Sequence, residues 1–197
     1  MGTRGFVGFN AEGRETITYN HWDSYPEGLG VAVLHFLRTM DAEDEIRYRD
    51  AAIRIKHVSN DVPPTRDEIV ELIKYSNLSV SEQDASDWYC LLRETHGKPR
   101  QILGCGYAEH APEFPLDSLF CEWGYLIDFD ARKLEVYQGF QTRPPTSGRW
   151  AGQTRPPRYE GDSGGYHAVE LVATYDFDDL PTDEAFTARL EPSEEDA

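Results

Sequence analysis

The chain has 197 residues, 39% of them hydrophobic, which is enough for one well-buried core and too little for two large domains. Thirty-six acidic against 19 basic side chains give a formal net charge of -17, which repels phosphate backbones and anionic lipid and so excludes general nucleic-acid binding. No run approaches the roughly 20 apolar residues of a membrane span, the start "MGTRGFVGF" lacks the charged-then-apolar plan of a secretory signal, and Cys90, Cys105 and Cys121 show no C-x-x-C spacing. A cytoplasmic protein with free, buried thiols is expected.

In chain order, residues 4 to 19 read as a β-hairpin turning at "AEG" and returning through the β-branched "RETITY". Leu29, Val33, Phe36 and Leu37 fall at helical spacing and predict a helix from Gly30 to Arg38. From Asp41 to His57, acids come early and Arg and Lys late, which complements a second helix's dipole. Thr65-x-x-Glu68 is a capping box for a third helix, and Ser81 is expected to cap a fourth, carrying Ala85, Trp88, Tyr89 and Leu92 and ending at Gly97 and Pro99. "EWGYLIDFDARKLEVYQG" alternates like a second hairpin, and "YHAVELVATYDF" like one more strand. The expected fold is α+β: an N-terminal hairpin, about four helices, then antiparallel strands, with the helices on one face of one sheet. A domain over 1–180 would be followed by an acidic tail, 181–197, without regular structure.

One segment breaks the acidic pattern. Residues 140–165 form an Arg/Pro/Gly-rich insertion that repeats "QTRPP" and carries Arg143, Arg149, Arg155, Arg158 and Trp150. It reads as a surface loop; as a functional one, its arginines and an exposed Trp150 would suit an anionic ligand or an acidic protein surface.

Three constellations are candidates for chemistry. "GDSGG" at 161–165 resembles the nucleophile loop of trypsin-like serine proteases over five residues, but no Ala-Ala-His-Cys setting lies upstream and His57 sits in "IKHVSN", so that activity is excluded. Asp128 and Asp130 bracket a hairpin turn, where they would either satisfy backbone amides or hold a divalent cation such as Mg²⁺. The densest cluster is "YNHWDSYPEGLG" at 19–30. Ser24-x-x-Glu27 with Pro26 reads as a helix start; Asn20, His21, Asp23 and Tyr25 remain as polar groups facing a helix N-terminus, where an anion is favoured.

"GTRG" followed by "YNHWDSYPEGLG", with the later "WGYLIDFD", resembles an uncharacterised family of bacterial, phage and fungal proteins. The likeness covers residues 2–30 and, more loosely, 122–138, and implies no activity; it marks the first thirty residues as the part to test. The opening hairpin leading to Asn and Asp is also similar to N-terminal-nucleophile hydrolases of the choloylglycine-hydrolase kind, which would require cleavage of the Gly2–Thr3 bond to expose Thr3 and two packed sheets.

Two functions follow as expectations. One is a small hydrolase or transferase for a polar anionic small molecule, with His21 as acid or base, Asp23 orienting it or binding a cation, Asn20 and Arg4 holding the charge and Tyr25 adding a hydrogen bond. The other is a non-catalytic acidic interaction protein, of phage or defence type or mimicking nucleic acid, that meets a protein partner through Arg143, Arg149, Trp150 and Arg155.

Overall fold

The structure is a computed structural model in which residues 2–81, 83–157 and 165–190 are described. Strand β1 (Gly5–Ala11) is buried along its whole length, as its sequence GFVGFNA with no charged side chain allows. It turns through Glu12 and Gly13, both at positive φ, into β2 (Arg14–Asn20), which runs antiparallel to it. The chain then leaves the sheet for α1 (Val31–Arg38), α2 (Ala42–Arg54), β3 (Lys56–Val58), α3 (Arg66–Leu72), α4 (Trp88–Leu91), α5 (Pro99–Cys105) and β4 (Tyr107–Glu109). It returns as β5 (Trp123–Asp128), parallel to β1, followed by β6 (Lys133–Gln138), β7 (Glu170–Asp176) and α6 (Asp183–Leu190). The order is β2-β1-β5-β6-β7, with β3 and β4 paired separately as a parallel ribbon. This is an α+β fold with helices packed on a mostly antiparallel sheet. Among the described residues no helix is long and apolar enough to cross a membrane.

Side-chain alternation divides the sheet between two cores. Val7, Phe9, Tyr125, Ile127, Leu134 and Val136 meet the apolar sides of α1, α2, α5 and α6. Phe6, Ile17, Leu126 and Tyr137 face the other way, onto Leu116, Cys121, Trp150 and Val169. Two glycines permit the close approach this needs: a Cβ on Gly124 would lie 1.9 Å from the Phe6 ring, and one on Gly5 would lie 2.2 Å from the Trp123 carbonyl oxygen. All three cysteines are free and buried.

The hairpins and the first three helices form close to where the sequence places them, and Thr65 and Glu68 make both bonds of the capping box. Three expectations fail for physical reasons. Ser81 has φ of 52° and donates to Asp87, which itself caps the four-residue α4, so the predicted fourth helix is mostly turns. Pro99 starts α5 rather than ending a helix, because its missing N–H costs nothing in a first turn. The expected tail is a helix as far as Leu190: Phe186 has no exposed surface, and Asp183 pairs with Arg38 at 2.8 Å. Residues 191–197 lie outside the described residues.

The Arg/Pro insertion is not a surface appendage but the cover of the sheet's second face. Trp150, expected to be exposed, is 4% exposed and stands edge-on to Phe6 and Tyr137 at 5.4 and 4.6 Å. Among the described residues no second sheet packs face to face on the first, so the two-sheet frame of an N-terminal-nucleophile hydrolase is not formed. Truncating Phe186 to Ala should cost about 3–5 kcal/mol of unfolding free energy in urea titration. A free α6 would instead leave stability unchanged.

Candidate functional site

The segment after β2 folds back on the N-terminus. The buried Asn20 amide donates to the Trp22 carbonyl and, at 2.9 Å, to Ser24 Oγ. Ser24 is fully buried: its N–H donates to the Thr3 carbonyl at 3.2 Å, and its own carbonyl accepts from the Tyr125 hydroxyl at 3.0 Å. The expected capping box is therefore not made. Pro26–Gly30 instead forms one wide turn, in which the Tyr25 carbonyl accepts from the Gly30 N–H at 3.2 Å, before α1 begins.

These contacts redistribute the predicted site. Asn20 is a structural clamp. Asp23 takes a positive φ of 48° and uses its carbonyl for the Leu29 N–H, while its exposed carboxylate has no partner among the described residues. Tyr25 is 42% exposed and contributes only its backbone. The partner of His21 is Tyr19, whose hydroxyl lies 2.8 Å from Nδ1, so Tyr19 and not Asp23 orients the imidazole.

Around that pair stand groups from distant parts of the chain. The Tyr19 ring meets the edges of His21, His96 and Phe114. Arg93, on a single 3-10 turn after α4, is 9% exposed; its guanidinium lies 5.1 Å from the Tyr89 ring and 5.8 Å from that of Trp22, and Nη1 donates to His96 Nδ1 at 2.9 Å. Arg4 enters from the other side, 5.3 Å above Phe120. Neither guanidinium has a carboxylate within 4.0 Å among the described residues, despite the chain's 36 acids.

Burial, then Arg93 and Arg4, lower the His21 pKa. Burial, then Arg93 and His21, bring His96 down to about 3, and burial raises Tyr19 against the pull of Arg4. At neutral pH the cluster is thus two neutral imidazoles, a phenol and two cations. Tyr19 also forms a wall shared by two concavities. One, of about 500 Å³, is lined by Arg4, Phe114, Phe120 and Arg155; the other, of about 360 Å³, by Tyr89, His96, Glu109 and His110.

The loop arginines separate. Arg155 lines the first concavity, with Nε 3.8 Å from Asp117, whereas Arg143 is exposed and lines neither. Arg149 is committed to structure: it pairs with Glu15 and Glu135, both at 2.8 Å, and with Asp128. Asp128 Oδ1 also accepts from Asn10 at 3.0 Å and from the Asp130 and Ala131 amides, while Asp130 accepts from the Glu12 and Gly13 amides, each at 2.9 Å. These carboxylates tie one hairpin turn to the other, and the described residues hold no group of three or more potential metal-ligating side chains. Of "GDSGG", 161–164 lies outside the described residues, as does Arg158.

Sequence reading missed Arg93, His96 and Tyr89, which sit in "WYCLLRETHG" and pass for one amphipathic helix. Their one local signal was an Arg and a His three apart beside two aromatics. Comparison of the chain with protein-family models, with curated proteins and with solved structures returns no match.

Two measurements follow. Arg149→Ala should lose about 2–4 kcal/mol of stability in chemical denaturation, less than a fully buried pair because the Arg149 side chain is 23% exposed. In acid, the partly buried histidines should cost stability. Their folded pKa values, about 3 for His96 and about 4 for His57, lie below the usual 6.5, so their contribution is present above 6.5 and is lost as pH falls towards those values. Glu109, raised from 4.5 to about 7, works oppositely: its contribution is present below 4.5 and is lost as pH rises through about 7. Melting temperature should therefore drop less between about pH 6.5 and about pH 4.5 in His96→Gln than in the parent chain; equal drops would contradict the assignment.

Proposed function

We propose that the protein is a small hydrolase or transferase acting on a polar anionic small molecule, held by Arg4 and Arg93, with His21 as its acid–base group. The observation that carries this reading is the pair of guanidinium groups flanking Tyr19 and His21 with no carboxylate within 4.0 Å among the described residues. An anion there would complete the buried Arg93 charge. Arg93 is also buried and braced by aromatic rings, which fixes its charge in place before a ligand arrives.

The Tyr19–His21 hydrogen bond supplies the proton logic. With Nδ1–H donated to the phenol, Nε2 has a lone pair and can take a proton from a nucleophile. With the phenol donating to Nδ1, Nε2 carries the proton and can deliver it to a leaving group. A lowered pKa keeps the imidazole neutral, as a base near neutral pH requires. The competing interaction-protein reading keeps Arg143 and Arg155 but not Trp150, which is buried, or Arg149, which is paired internally.

Inorganic phosphate should bind in calorimetry and raise the melting temperature, and Arg93→Gln should weaken that binding at least about tenfold. With p-nitrophenyl phosphate and p-nitrophenyl acetate as probes, His21→Gln should lower any turnover by about a hundredfold or more while phosphate still binds. Phosphate binding indifferent to both Arg4 and Arg93 substitution would refute the assignment.

A further inference from the structure

The second concavity, of about 360 Å³, lies between the β3–β4 ribbon, the end of β2 and the Tyr89–His96 segment, and its polar groups are set in a definite pattern. Because Arg93 can only donate, His96 Nδ1 must accept and the ring proton sits on Nε2, which has no partner among the described residues. The same reasoning fixes His110. The Ile17 N–H donates to its Nδ1 at 3.1 Å, so Nε2 carries the proton, again without a partner among the described residues, and the ring is braced by stacking on His57 at 4.1 Å. Glu109 accepts from the Asn60 amide on Oε1 at 2.9 Å and has Oε2 uncommitted. Tyr19 and Tyr89 supply aromatic walls, and Leu92 and Ile102 apolar ones.

We propose that this cavity is a binding site for a planar nitrogen heterocycle of the nucleobase class, packed against Tyr19 and Tyr89 and read along its edge by His96, His110 and Glu109. Two fixed N–H donors suit ring nitrogens or carbonyl oxygens. A carboxyl group beside them suits an adjacent N–H, and it both donates and accepts when its proton is shared with the ligand. Such groups, convergent within a mostly apolar wall, are how a small-molecule pocket sets orientation. A base bound here is uncharged, so this site does not depend on an anion at Arg4 and Arg93. Nor does it require that the protein be an enzyme.

The test uses the full chain with free adenine, hypoxanthine, cytosine and uracil as uncharged probes, each at about 1 mM, read by thermal shift and calorimetry. At least one should bind. Glu109→Ala should weaken it about tenfold or more, since the ligand then loses a paired polar contact. Ala111→Trp and Ser59→Trp, which fill the cavity from different wall segments, should abolish it. Two such variants are used so that misfolding of one, judged by circular dichroism, leaves the other to decide. Failure of all four bases to bind, or binding that survives a folded cavity-filling variant, overturns the proposal. Loss of phosphate binding in Arg4→Gln bears on the other site alone, since Arg4 lies outside this cavity whereas Arg93 also sets the His96 tautomer.

Discussion

Everything in this molecule hangs from one strand. β1 is hydrogen-bonded on both edges, antiparallel to β2 and parallel to β5, and buried on both faces. β2 returns the chain to the end of the sheet where β5 begins, so the long crossover between them is not forced by strand direction and serves instead to build the helical layer. Helices α1, α2 and α5, packed in the main core, are made within that crossover. The burial of β1 also fixes the residues just before it. Thr3 is held against Ser24, and Arg4 accepts from the Glu122 amide at 3.0 Å through its own carbonyl. The Arg4 side chain is thereby delivered beside Tyr19.

The far end of β1 carries a different kind of constraint. Asn10, Asp128 and Asp130 join the two hairpin turns, and Arg149 reaches back from the loop to Asp128, Glu135 and Glu15. A half-buried arginine facing three acids gains little net stability over an apolar substitute, but removing one partner leaves partly desolvated charge behind. The network therefore acts as a pin. It holds the loop so that Trp150 covers Phe6 and Tyr137 and shields the sheet's second face from water. A run with little apolar content serves as one layer of the core because a single tryptophan and one ion cluster anchor it.

Legibility in the sequence followed range. The first hairpin, the Thr65 capping box and α1 are decided by residues within a turn of one another, and local pattern finds them. The parallel joining of β1 to β5 connects positions 118 apart in sequence, as the Asn10–Asp128 contact shows, and no periodicity encodes it. Trp150 and Arg149 looked exposed because their partners, Phe6 and Glu15, are equally remote. Leu190 and Phe186 were hidden by acidic neighbours, although only the Phe and Leu decide docking. At the candidate site, the contacts of "YNHWDSYPEGLG" divided differently from the expectation. Asn20 and Ser24 build the turn, the Asp23 carboxylate has no partner among the described residues, and Tyr19 with His21 lies beside Arg93 and His96, which arrive from the crossover.

The central proposal, that an anion binds at Arg4 and Arg93 beside the Tyr19–His21 pair, is open to direct measurement by imidazole nuclear magnetic resonance during titration with inorganic phosphate. Phosphate completing Arg4 and Arg93 should raise the pKa of His21 and shift the His21 and His96 ring signals together, leaving exposed His35 unmoved. Unchanged His21 and His96 signals at phosphate concentrations that saturate any observed binding would contradict the account.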